Sequence, residues 1–137
     1  MSLLSRPKLS SDGCYQNITP KSANWKYVGF QAHELAPQQT LNWIDPDKES
    51  CLVILSGKAD IRVDKQTFHG LGDRMSVFED KKPHAVYAPN NSQVSIQAIT
   101  KLELAIATAP GFGNYPARHI KPEEMTNEVR GEGSNIR

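Results

Sequence analysis

The stretch that decides the fold runs from Cys51 to Ile96: CLVILSGKADIRVDKQTFHGLGDRMSVFEDKKPHAVYAPNNSQVSI. It opens on the apolar run Cys51 to Leu55, which ends at Ser56-Gly57, and continues in strict alternation with Ala59, Ile61 and Val63. Asp64-Lys65 supplies a tight turn, and Gly70-Leu71-Gly72-Asp73 a second one. Met75 and Val77 alternate again, so Asp73 to Glu79 reads as another strand. Asp80-Lys81-Lys82-Pro83 and Pro89-Asn90-Asn91 then bracket Ala85 to Ala88. Period-2 alternation punctuated by Gly, Pro, Asn and Asp is the signature of short antiparallel strands.

The same period extends outward on both sides, through Leu41 and Trp43 upstream and through Val94, Ile96, Ala98, Leu102, Leu104 and Ile106 downstream. Helical periodicity is nearly absent. Many short strands at this spacing predict an all-β sandwich or barrel rather than a parallel α/β sheet. Its inward residues are expected to include Val53, Leu55, Ile61, Val63, Val77, Val86, Ile96, Leu104 and Ile106. The barrel is assigned to residues 25–109, between an N-terminal arm, 1–24, and a C-terminal arm, 110–137. Both arms are rich in Pro, Gly, Ser and charge, with Pro122-Glu123-Glu124-Met125 as the one suggestion of a helix start. The final segment, Glu128 to Arg137, alternates charge with glycine and reads as a linker.

A chain of 137 residues can bury about two-thirds of its surface, which supports one domain. Sixteen Lys and Arg against fifteen Asp and Glu leave a net charge of +1, without the basic field that a nucleic-acid binder carries. The strongest apolar run, Cys51 to Leu55, is far short of the ~20 residues of a membrane span, and no apolar stretch follows the basic start. No nucleic-acid or membrane partner is expected, and two cysteines fit a reducing cytoplasm.

Motifs that would carry chemistry are sparse. His33, His69, His84 and His119 are each isolated, so no His-x-His or His-x-x-x-His pair offers two metal ligands from one element. Each reads first as a surface or hydrogen-bonded histidine. Cys14 and Cys51 have no neighbouring base, and Gly111-x-Gly113 lacks the strand-to-helix setting of a phosphate loop. No catalytic residue is assigned.

Taken together, the strand ending in Gly57, the alternating hairpin, Gly72-Asp73 and Pro83-His84 resemble the two motifs of the cupin family. That resemblance implies a double-stranded β-helix jelly roll. It also implies a metal held by His-x-His and Glu of the first motif with a histidine of the second. Here Trp43, Ile44, Asp45 and Pro46 fill the His-x-His window. Ser50 stands seven residues before Gly57 where the Glu belongs, with Glu49 one step off. His84 alone survives, one residue out of register. A single imidazole does not hold a catalytic divalent ion, so no metal or other cofactor is expected in this chain.

The segments WKYVGF (Trp25–Phe30), CLVILSGKA (Cys51–Ala59), DRMSVFE (Asp73–Glu79), AVYAP (Ala85–Pro89), YPARHI (Tyr115–Ile120) and EVRGEGSNIR (Glu128–Arg137) are together similar to the amino-terminal half of the 5-deoxyglucuronate isomerase family of bacterial inositol catabolism. The family is built of two cupins, and the resemblance places its metal motif in the second. It implies an aldose-to-ketose isomerisation of a deoxy sugar acid, with a divalent Lewis acid and a base that shuttles a proton. This chain alone is expected to be inactive. The substrate carboxylate favours a guanidinium, which makes Arg118 and Arg130 candidates for substrate binding. His84 and Tyr87 join them as residues that could alternate toward a barrel mouth, while Glu49 and Asp73 read as turn residues. The alternative reading is a metal-free cupin module that binds a sugar acid or serves a structural role without catalysis. A half-enzyme would carry a face meant to be covered, so a homodimer is expected, with Tyr115, Pro116 and Ile120 as anchors.

Overall fold

A computed structural model describes residues 4–131 and 133. Met1 to Leu3, Glu132 and Ser134 to Arg137, the last of which end the expected linker, lie outside the described residues. The chain forms two antiparallel sheets. Its strands are β1 (Cys14–Ile18), β2 (Gly29–Leu35), β3 (Thr40–Ile44), β4 (Lys48–Ser56), β5 (Ala59–Val63), β6 (Gln66–Leu71), β7 (Ala85–Ala88), β8 (Gln93–Ala98), β9 (Leu102–Pro110) and β10 (Arg118–Ile120). The first sheet has the order β1-β2-β9-β4-β7-β10 and the second β3-β8-β5-β6. A four-residue helix, α1 (Pro20–Ala23), follows its Thr19 cap, and the expected helix start at Pro122 is a single 3-10 turn, Pro122–Glu124. Among the described residues no helix is long and apolar enough to cross a membrane.

The two sheets bury one core. Leu35, Leu52, Ile54, Leu102 and Leu104 of the first sheet meet Ile61, Val63, Val94 and Ile96 of the second, all almost fully buried. Ile61, Val63, Val86, Ile96, Leu104 and Ile106 point inward as their alternation predicts. Val53 and Leu55 do not: β4 buries Ser50, Leu52 and Ile54, and the two expected residues are half-buried on its other face. The reason is local. Cys51 to Leu55 is apolar at every position, so the run carries no parity, and the outer face of this sheet is itself apolar.

Val77 is corrected as well. Residues 72–84 form no strand but an irregular loop, and Val77 is exposed. Side chains hold the loop against the barrel instead of a ladder. Arg74 Nε donates to the Leu55 carbonyl at 2.7 Å and its Nη1 to that of Lys81 at 2.8 Å, while the Met75 amide donates to Glu79 Oε1. Such bonds compete directly with sheet pairing and override a short alternating pattern.

Segments read as arms supply both edges of the first sheet. β1 pairs with β2, and β10 pairs with β7 so that Arg118 faces Tyr87, His119 faces Val86 and Ile120 faces Ala85. That second pairing is what brings distant residues to His84.

Candidate functional site

His84 immediately precedes β7 and shares the inward parity of Val86 and Ala88. β10 places His119 opposite Val86, on the same face. The two imidazoles meet there, His84 Nδ1 to His119 Nε2 at 2.9 Å, with ring planes 14° apart. Phe68 of β6 flanks His119 at a centroid distance of 6.1 Å, so the pair lies where the open edges of the two sheets approach. On the far side of His84, Nε2 lies 2.6 Å from Asp73 Oδ2. Asp73, His84 and His119 therefore form one continuous chain.

Its protonation follows from donor and acceptor counting. The bond from His84 is the main cause that holds the Asp73 carboxyl below its ordinary value. An ionised carboxylate only accepts, so His84 Nε2 carries a proton and donates it. With His84 neutral, its Nδ1 accepts from His119 Nε2. Burial first, and the neighbouring His84 second, lower the proton affinity of His119. The hydrogen bonds thus run in one direction, from His119 Nε2 to His84 Nδ1 and from His84 Nε2 to Asp73 Oδ2.

The other expected site residues stand elsewhere. Tyr87 is three residues beyond His84, an odd offset that sends it to the opposite face of the sheet. Its hydroxyl donates to Glu49 Oε2 at 2.7 Å, and partial burial first, then this bond, push its pKa up to about 12. His84 and Tyr87 thus do not share a barrel mouth. Glu49 is a strand residue of β4 rather than a turn residue. Arg118 faces Tyr87 across the strands, but its guanidinium is paired with Glu124 in an exposed ion pair. Arg130 pairs with Glu128 in the exposed tail. Asp73 and His119 complete the chain without any local signal, because His84 and His119 are 35 residues apart and meet only through β10.

Neither the metal of a cupin nor its ligand geometry fits these residues. Ser50 is a buried hydroxyl on the inward face, Trp43 packs against the core, and Asp45 caps the turn before β4 by accepting from the Asp47 and Lys48 amides. His84 commits both nitrogens to Asp73 and His119. Among the described residues no group of three or more His, Cys, Asp or Glu side chains is arranged to hold a metal ion.

One further histidine has a consequence for stability. His33 on β2 is 2% exposed; its Nε2 meets Gln31 Oε1 at 3.0 Å, and its Nδ1 has no partner. Burial lowers its pKa from 6.5, partly offset by Asp12. His33 and His119 both bind protons more weakly folded than unfolded, so the unfolded chain gains protons first as pH falls below 6.5. Stability is therefore complete above that value and declines beneath it, by up to about 1.4 kcal/mol per pH unit for each proton. Urea unfolding at pH 7.5 and 5.5 should show this decline, and His33→Met should reduce its slope by about one proton.

The KduI/IolB family model matches residues 3–137. The chain is 44% identical over 132 residues to the 5-deoxy-glucuronate isomerase of Geobacillus thermodenitrificans, covering 96% of this chain and 48% of that protein. It is 43% identical over 125 residues to that of Geobacillus kaustophilus, covering 91% and 45%. The chain thus spans about half the length of the curated relatives it matches. An IolB-like protein from Salmonella typhimurium superposes with a TM-score of 0.89 at 36% identity, over 97% of this chain and 51% of that one. Oxalate decarboxylase, at 16% identity and a TM-score of 0.58, shares the fold, a cupin-type jelly roll.

Proposed function

This chain belongs to the KduI/IolB family, and from that premise we propose that it is the amino-terminal cupin half of a cytoplasmic 5-deoxyglucuronate isomerase. In this reading it supports a metal-bearing second barrel and does not turn over substrate alone. The observation that carries the reading is the match along nearly the whole chain to about half of each isomerase, combined with inward cupin positions filled by Trp43, Ser50 and a committed His84.

The isomerisation moves a proton between adjacent carbons of a sugar acid, and a divalent Lewis acid with a positioned base supplies that chemistry. Among the described residues no such ligand set is arranged. What the described residues offer is the hydrogen-bonded Asp73–His84–His119 chain at the edge where the two sheets approach.

The test uses 5-deoxyglucuronate with Mn²⁺ or Zn²⁺. This chain alone is expected to give no ketose, and addition of the separately expressed remaining half of the Geobacillus thermodenitrificans relative is expected to restore turnover. Turnover by this chain alone would overturn the reading. Saturable binding of the sugar acid without turnover in either arm would establish the non-catalytic binding module instead.

A further inference from the structure

We propose that residues 118–125 are an acid-released strap, docked across the open edge of the barrel while the facing imidazoles of His84 and His119 share one hydrogen bond, and detached when both rings are charged. The segment is built to move as a unit. Glu124 ties its two halves together, accepting from the Arg118 guanidinium and from the Lys121 amide. Before it, residues 111–117 form no helix or strand, and Gly113 within them adopts φ +72°.

Few bonds hold the segment to the barrel. β10 makes three register pairs with β7, Lys82 Nζ donates to the Met125 carbonyl at 2.5 Å, and His119 meets His84. β10 is the last strand of its sheet, paired on one side. Ala117 packs against the core just before it and Phe68 flanks the His119 ring, so detachment uncovers both together with the edge of β7.

The imidazole pair is the part that answers to pH. Its bond spans 2.9 Å and needs one bare nitrogen, either His84 Nδ1 or His119 Nε2, to accept. Two imidazolium rings would set N–H against N–H, with ring centres 5.1 Å apart. The docked pair therefore accepts at most one added proton, where two separated imidazoles accept two. Asp73, 2.6 Å from His84 Nε2 and itself near Lys58 and Lys81, balances one such charge and not a second.

The remaining charged groups around His119 do not supply the missing counter-ion. Lys121 opposes a charge there, while Glu123 and Glu124, which favour one, are exposed, and Glu124 is already engaged by Arg118. β6 presents the uncharged Phe68 ring, and its next residue, His69, is exposed beside Asp60. Burial first and His84 second hold the pKa of His119 below 6.5. Opening lifts both effects, so the open strap binds one proton more as pH falls through 6.5. The open-to-docked ratio then rises about tenfold between pH 7.5 and 5.5.

Amide hydrogen exchange on the intact chain tests this at pH 7.5 and 5.5, read as protection factors for β10 and, as a reference, β9. The strap is expected to exchange faster than β9 at both values and to lose about tenfold in protection at pH 5.5. His33→Met should leave that loss intact, because a local opening does not expose the buried His33. His119→Gln, whose carboxamide donates to His84 without taking up a proton, should keep the strap protected and remove the loss. His119→Phe, which keeps a ring against Phe68, should remove it as well. A strap that holds its protection at pH 5.5, one that opens only together with β9, or a comparable loss that persists in either His119 variant overturns the proposal.

Discussion

Gly72→Ala is expected to remove most of the folding stability of this chain, and Gly57→Ala nearly as much. Gly72 adopts φ +117°, and a Cβ there would lie 2.0 Å from the Gly57 carbonyl oxygen. Gly57 adopts φ +93°, and its Cβ would lie 2.1 Å from the Lys101 carbonyl oxygen. The two turns nest backbone against backbone, and the Gly57 amide adds a bond to the Arg74 carbonyl at 2.9 Å. A side chain at either glycine meets two separate penalties. The left-handed backbone costs about 1–3 kcal/mol, and relieving the overlap by displacing a carbonyl costs at least a similar amount. Together these approach the roughly 5–15 kcal/mol that holds a domain folded. Gly70→Ala provides the control, because φ there is +61° but nothing lies within 4 Å of the added Cβ. That substitution should cost about 1 kcal/mol. Urea titration of the three variants separates backbone strain from steric exclusion, and equal losses at Gly70 and Gly72 would refute the nested-turn account.

Ile54→Ala should lose about 2–5 kcal/mol, whereas Leu55→Ala, one residue on, should lose about 1 kcal/mol. Ile54 is 1% exposed in the core between the sheets. Leu55 sits where the β4–β9 register shifts between Ile54 and Ser56, half-buried on the outer face. The core therefore has little room to collapse around a truncated Ile54, while Leu55 leaves no internal cavity. The contrast is read from urea midpoints at constant m-value, and a larger loss at Leu55 would reverse the strand parity described above.

What the amino-acid sequence determined by itself is the framework. Alternation at Ala59, Ile61 and Val63 and at Leu102, Leu104 and Ile106, with turns at Gly57, Asp64 and Gly72, specifies antiparallel strands and their inward faces, because one buried and one wet face impose period two. The quoted segments also carried the family, which the match over residues 3–137 bears out. Tertiary structure decided the rest. In the uniformly apolar run from Cys51 to Leu55, parity is set by pairing with β7 and β9 and not by the residues themselves. In the 72–84 loop, bonds from Arg74 and Glu79 outcompeted a strand pattern that was only two residues deep. The site depended on long-range pairing most of all. Asp73, His84 and His119 occupy three separate segments with no shared periodicity, and only the docking of β10 onto β7 brings the two imidazoles within 2.9 Å. A contact made by strand pairing across 35 residues leaves no periodic trace in the residues that form it, since each strand is patterned by the face it buries and not by the partner it will meet.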